Sequence, residues 1–298
     1  MAGETTTGTL QDSLSTMRFS ARVVQEQKGM MRDTVDRIVL PENMGNSWSE
    51  VDYGQLTAMA ITELTDIDDN AQQLTDTLNT ITPLDSGIFV LYSERVSARI
   101  FSQGLTIVRS GIQSMRALLR REDGDGITVG QAATTDLGAA GSPLTSTLVR
   151  HAKARISSNV TERMDGPYHM QHHGFVLVDI EDELTAAVGT YEISTGVSAD
   201  VFAQGYTEAP RTLGGVVVHE NGNIPIDSSD DAEGFVYAGG VGGAIILVEG
   251  RGMRTYDKFF PNMGGGSQGI YMYFEYAYGE RNAGNGLFSV TADALAPA

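Results

Sequence analysis

The chain has no cysteine among its 298 residues. Disulfides, thiolate nucleophiles and cysteine-ligated metals are therefore excluded on chemical grounds, and cohesion must come from other groups. Long apolar runs are also missing. None approaches the roughly 20 residues that span a bilayer, and the polar opening MAGETTTGTLQDSLSTMRF lacks the basic start and apolar centre of a secretory signal. Neither a membrane protein nor Sec-type export is expected. Positive charge is scarce, with 20 Lys and Arg against 38 Asp and Glu, a net charge of −18. Such a chain repels a phosphate backbone, which disfavours a dedicated nucleic-acid binder. Charged residues total only 19%, below the usual ~25%, whereas the 35 glycines exceed the ~7% of an average composition. Many turns and flat, neutral contact surfaces fit that balance.

Along the chain, residues 1–37 are polar, with scattered bases and apolar clusters too short for a core, and read as an arm that becomes ordered only against another surface. Residues 38–81 suggest a long two-stranded excursion: IVLPENMGNSWSEVDY opens it, the Asn43-Met44-Gly45-Asn46 cluster supplies a turn, and QQLTDTLNTITP closes it. Such a hairpin buries little of itself and needs support from another surface. The clearest helix is expected from about Ser93 to Arg121-Glu122, stopping before the breaker run DGDG. Within it Phe101, Leu105, Val108, Ile112, Met115 and Leu119 draw one apolar stripe, the packing face, with Gly104 and Gly111 as marks of close approach by another backbone. Residues 93–121 carry six arginines against the single acid Glu94, a stretch expected to meet acidic surface on a neighbour. A shorter helix follows over Leu144–Ser158. Beyond it the period changes to two: GFVLVDI (174–180) reads as a buried strand, and GGVVVHENGNIPI, EGFVYAGGVGGAIILVEG and IYMYFEYAYGER supply further strands. The fold class is α+β, with the sheet strands late in the sequence.

Signals for chemistry are weak. His169, His172 and His173 have a spacing that suits zinc or nickel, but only Asp165 and Asp179 lie nearby as further ligands, and a polar loop before Phe175 is the preferred reading. The run Asp66-Ile67-Asp68-Asp69-Asn70 begins like a calcium loop, yet Ala71 stands at the glycine position and Thr77 at that of the bidentate glutamate. The cluster 227–233 reads as a solvated acidic loop. The glycine runs at 239–243 and 264–266 lack the lysine and the following helix of a phosphate loop and read as turns. No G-x-S-x-G elbow is present. No catalytic residue, metal site or cofactor is expected, and the chain reads as a non-enzyme.

The order of parts, polar arm, long hairpin, long helix and α/β body, resembles the HK97-type major capsid proteins of tailed bacteriophages. QLTAMAITELTDIDDNAQQLTDTLNTITPLDSGIFVLYSERV (55–96) is similar to the end of that family's extended loop. LGGVVVHENGNIP (213–225) resembles its strand running into an N-I-P turn. AIILVEGRGMRTYDKFF (244–260), followed by MYFEYAYGER (272–281), resembles its paired returning strands. The resemblance implies an amino-terminal arm at 1–37, an extended loop at 38–88, a peripheral domain with the spine helix at 89–165, an axial α/β domain at 166–243, and returning peripheral strands at 244–298. It implies subunits in pentamers and hexamers around double-stranded DNA that is enclosed without sequence-specific contact. A portal and a decoration protein are implied partners, in a virion capsid assembled in the bacterial cytoplasm. Subunit contacts are expected at Asn43, Met44, Gly45, Asn46, Trp48, Arg109, Arg116 and Arg120.

Two departures modify the expectation. The three lysines, Lys28, Lys153 and Lys258, all lie outside 38–81, so covalent cross-linking from the loop is not expected. Fewer than 40 residues precede the loop, so a separate scaffolding protein is expected. An encapsulin-like nanocompartment, a β-rich tail or secreted binding module, and a metal hydrolase built on His169, His172 and His173 are the alternatives.

Overall fold

The computed structural model describes residues 29–41, 45–63, 71–93, 105–188, 211–261 and 266–294. Most of the expected arm, Asn43, Met44, the acidic run 66–70, Gly264, Gly265, and the helix start with Phe101 and Gly104 lie outside the described residues.

In chain order the elements are α1 (Met31–Thr34), β1 (Asp36–Val39), β2 (Trp48–Tyr53), β3 (Asp76–Ile81), β4 (Leu84–Ser93), α2 (Leu105–Gln131), α3 (Ser146–Ser157), β5 (Tyr168–His172), α4 (Gly174–Val188), β6 (Arg211–Leu213), β7 (Val216–Glu220), β8 (Asp231–Ala238), β9 (Ile245–Phe260), β10 (Ser267–Glu280) and β11 (Leu287–Asp293). They form a four-stranded sheet of order β1-β9-β10-β4, a five-stranded sheet of order β11-β8-β5-β7-β6, and the separate pair β2-β3. One apolar core runs through both larger sheets, from Leu247 and Phe274 to Met170, Phe235 and Val290. The α+β expectation holds.

In the four-stranded sheet β10 is paired on both sides, with Tyr271 opposite Tyr256 on β9 and Phe89 on β4. Its alternation follows the sequence reading: Phe274 and Tyr276 are buried, while Tyr271 and Tyr273 on the other face are half-exposed. β1 runs parallel to β9 but covers only Ile246–Glu249. Along Gly250–Phe260, β9 has no strand on that side among the described residues.

Three sequence expectations are corrected. Helix α2 continues through Asp123-Gly124-Asp125-Gly126 to Gln131, because this run is a packed helical surface and not a turn. The buried Asp123 carboxylate accepts hydrogen bonds from the backbone N–H of Met30 (2.8 Å) and Met31 (3.1 Å) and from the side-chain amides of Asn221 and Asn223 (both 2.9 Å). A Cβ on Gly126 would lie 3.0 Å from the Met31 side chain, and one on Gly130 2.6 Å from the Phe235 ring, whereas one on Gly111 would meet nothing within 4 Å. Close approach therefore falls at Gly126 and Gly130, not at Gly111, and the ~1 kcal/mol that each helical glycine costs is offset by that contact. Nor does the described part of the expected stripe form the packing face: Ile112 and Met115 are 41% and 45% exposed, while Leu118 and Ile127 are buried.

The second correction concerns residues 174–180, which form the start of α4 instead of a strand. Val176, Leu177 and Ile180 are buried while Phe175 and Val178 are exposed, a helical spacing that a short apolar run conceals. Acids of α4 then serve α3: Glu183 accepts from the Ser146 N–H (2.6 Å) and hydroxyl (2.7 Å), and Asp179 from the Leu144 N–H (3.1 Å). The third correction is that the histidine segment is the central strand β5 and not a loop. It pairs parallel with β7 and antiparallel with β8.

Candidate assembly surface

The stem of the extended hairpin pairs β2 with β3, antiparallel, with Trp48 opposite Ile81, Glu50 opposite Asn79, Val51 opposite Leu78 and Tyr53 opposite Asp76. Pairing begins at Trp48 and Gly54 still bonds to Thr75, so the far end of the excursion lies between 54 and 75. Gly45 (φ +96°) and Asn46 therefore sit at the root of the hairpin, and the rest of the expected turn, Asn43 and Met44, lies outside the described residues. Trp48 packs within its own subunit, beside Ile81, Ile246 and Val248.

Strand alternation then assigns two faces to the stem. Trp48, Glu50, Asn79 and Ile81 face the body. Val51, Tyr53 and Leu78 share the other face and are 44%, 69% and 63% exposed. Leu56, Met59, Ile61 and Leu74 farther out are exposed as well. A half-buried hairpin ordinarily shows its polar face to water, and this one places large apolar side chains there beside Ser49, Asp76 and Thr80. Covering a large apolar side chain is worth roughly 1.5–3 kcal/mol, so a surface laid over this face would gain from each of Val51, Tyr53 and Leu78. The sequence 38–93 contains acids and no Lys or Arg, so the hairpin carries only negative charge.

At the root, Arg281 is 11% exposed and joins three elements. Its Nε donates to Glu50 Oε2 (2.8 Å), Nη2 to Asp36 Oδ2 (2.8 Å) and Nη1 to the Gly243 carbonyl (2.6 Å). Where the arm reaches the body, Arg32 bridges the buried Glu122 (3.4 Å) and Glu249 (2.6 Å), and Arg37 holds the other oxygen of Glu249 (2.7 Å). Burial pushes the Glu122 carboxyl up to about 7, with the neighbouring Glu249 adding to the rise and Arg32 opposing it.

The body offers further exposed apolar surface. Phe89 stacks on Tyr271 (4.1 Å between centroids) and Tyr256 on Tyr273 (5.5 Å), beside the exposed Leu91. On α2, Ile112 and Met115 stand near Arg116, which is half-buried, and Arg120, which is exposed; the Arg109 side chain lies outside the described residues.

The histidines do not converge. His172 is fully buried with Nε2 3.1 Å from the Val290 carbonyl, and burial pushes its pKa down to about 4. His169 turns to His219, which sequence reasoning missed, with Nδ1 and Nε2 3.0 Å apart; burial, then the second imidazole, hold His169 at about 4. The signal for that partner was the i/j pairing of two strands far apart in sequence, visible only once β5 and β7 are aligned. Among the described residues no group of three His, Asp or Glu side chains is arranged to hold a metal ion, and no helix is long and apolar enough to cross a membrane.

No protein-family model matches the chain, and no curated protein matches it by sequence. Solved structures do match it. The head structure of Helicobacter pylori bacteriophage KHP40 is similar at 12% identity and a TM-score of 0.67, over 92% of this chain and 93% of that one. The capsid of Ralstonia phage GP4 is similar at 13% identity and a TM-score of 0.63, over 99% and 100%. The SrpI encapsulin of Synechococcus elongatus PCC 7942 is similar at 9% identity and a TM-score of 0.66, over 99% and 98%. With the outward apolar hairpin, the long α2 and the two sheets all in place, the chain has the HK97-like fold of tailed-phage capsid proteins, which the encapsulin shell shares.

Proposed function

We propose that this chain is a major capsid protein, a structural and non-enzymatic subunit that assembles with copies of itself, as pentamers and hexamers, into an icosahedral phage head around double-stranded DNA. The observation that carries the proposal is the outward face of the hairpin: the inward face is tied to its own body by Trp48, Ile81 and Arg281, and the large apolar side chains Val51, Tyr53 and Leu78 on the other face are left for another molecule. The capsid fold supplies copies of the same chain as that molecule, and obligate contacts of this kind bury on the order of 2,000 Å² or more. We further assign Asn43, Met44, Gly45, Asn46 and the exposed part of Trp48, and Arg109, Arg116 and Arg120 on the spine helix α2, to contacts between neighbours. The division into arm, extended loop, peripheral domain, axial domain and returning strands belongs to the same proposal. So do a separate scaffolding protein, a portal and a decoration protein as partners, and assembly in the host cytoplasm. A net charge of −18 keeps the inner wall from trapping the DNA it encloses.

Expression with and without scaffolding protein is expected to give closed shells tens of nanometres across in negative-stain micrographs. Persistent monomers or small oligomers in light scattering would overturn the proposal. The encapsulin match supports a second reading, a protein nanocompartment. Packaged double-stranded DNA in particles recovered from infected cells selects the phage head, and a protein cargo selects the compartment.

A further inference from the structure

We infer that Arg281 is the pivot that sets the angle at which the extended hairpin leaves the body, gripping it at the one cross-strand pair Glu50–Asn79. The inference rests on the capsid reading for its consequence and on the geometry of the root for its substance.

Two successive rungs on the inward face of the stem meet the body. The first, Trp48 opposite Ile81, is apolar: Ile81 lies with Ile246 and Val248, and β10 comes so close that a Cβ on Gly279 would fall 2.4 Å from the Ile81 side chain. Apolar contact of this kind is non-directional and fixes position better than it fixes angle. The second rung is polar and is held from both strands. Arg281 Nε donates to Glu50 on β2, while Asn79 Nδ2 on β3 donates to the carbonyls of Glu280 (2.9 Å) and Arg281 (2.8 Å). One dipeptide at the end of β10 thus grips both strands of the stem. Farther out, the bonds Gly54–Thr75 and Thr57–Gln72 run within the hairpin.

The grip is directional because the guanidinium is itself fixed from the body. Nη1 donates to the Gly243 carbonyl, Nη2 to Asp36, and the Arg281 backbone N–H to the Ala244 carbonyl (2.7 Å), while Asp36 is also held by the Gly242 N–H (3.0 Å). Three donors in one rigid plane serve three acceptors on β1, β2 and the β8–β9 loop. An ammonium on a flexible stem cannot satisfy all three at once. The leverage is large. Thirteen residues beyond Glu50 reach at most about 45 Å when fully extended, so a slack of about 10° at the root displaces their far end by up to about 8 Å, more than the spacing between neighbouring strands.

Two variants test the assignment from opposite sides. The double variant Glu50→Ala, Asn79→Ala removes the grip from the hairpin and leaves Arg281 with its partners on the body. Arg281→Lys keeps the charge and removes the fork. In each, amide hydrogen exchange at 51–53 and 76–78 is expected to rise about tenfold, the scale of one lost charge-assisted hydrogen bond, while protection in β5, β8 and β11 stays at the parent level. Shells from both variants are expected to vary in diameter or to stop as open sheets, where the parent gives one size. Unchanged stem exchange in the double variant would overturn the grip. Raised stem exchange with shells as uniform as the parent's would overturn its role in setting the angle. A rise across all strands in Arg281→Lys, with no stem response in the double variant, would assign Arg281 to core stability instead. If the unaltered protein makes no shells, the capsid reading fails, and the exchange measurement still decides the grip.

Discussion

On the five-stranded sheet Met170, Phe235, Tyr237 and Val290 are all fully buried, and even the polar Gln171 is enclosed, its amide donating to Tyr237 Oη (2.9 Å) and its carbonyl accepting from Asn221 (2.9 Å). On the β2–β3 stem Glu50 and Asn79 face the body beside Trp48 and Ile81, while Val51, Tyr53 and Leu78 face away. The first region meets its needs within one chain. The second meets half of them within the chain, and on the proposed function the rest fall to a neighbour, so the same residue types would stabilise the subunit in one place and drive assembly in the other.

That contrast can be tested in steps of decreasing effect on the isolated subunit. Phe235→Ala removes a ring that packs on Tyr237 and on α2 at Gly130, and is expected to cost about 3–5 kcal/mol in denaturant unfolding. A loss below about 1 kcal/mol would mean that the sheet is not the centre of the core. Acidification comes next. His172 titrates near 4 in the fold and near 6.5 when unfolded, so the unfolded chain takes up the proton first. The stability that His172 contributes is complete above about pH 6.5 and is lost as the pH falls toward 4, on the order of 3 kcal/mol at the acid end. His169 acts in the same window. Glu122 acts in the opposite sense, its raised pKa favouring the fold below about 4.5 and losing that contribution as the pH rises through about 7. Unfolding curves between about pH 7 and pH 4 are expected to show a net loss that His172→Gln reduces; an unchanged slope in that variant would place the imidazole in water. The smallest effect is expected at the hairpin. Leu78→Ser should change subunit stability by less than about 0.5 kcal/mol, as for other exposed positions, and yet abolish closed shells in micrographs. A large loss of stability there would show that the outer face is covered by its own chain.

Much of the fold was legible because its periodic segments are long. IYMYFEYAYGER showed the alternation of β10, and the spacing of Leu144, Leu148, Ala152 and Ile156 marked α3. The errors share a physical cause. Asp123-Gly124-Asp125-Gly126 has turn composition, but Asp123 caps the backbone of Met30 and Met31 and Gly126 admits Met31, partners more than 90 residues away that override local propensity. GFVLVDI is too short for its period to separate strand from helix, and YHMQH carries polar side chains into a central strand because Gln171 and His172 find buried partners from elsewhere. Of the candidate surface, the sequence showed a hairpin with little apolar material of its own to bury. Which face is apolar depends on register, and the anchoring role of Arg281 depends on a contact 231 residues apart.

The short coverage of β9 by β1 has a consequence for a protein made in many copies. From Gly250 to Phe260 the rim of the four-stranded sheet has no neighbouring strand among the described residues, the geometry that invites strand-by-strand stacking into fibres. Arg251, Arg254, Asp257 and Lys258 fall on that rim. Charges on an uncovered edge disfavour its pairing with a strand of another chain, the part that gatekeeper residues play beside apolar strands.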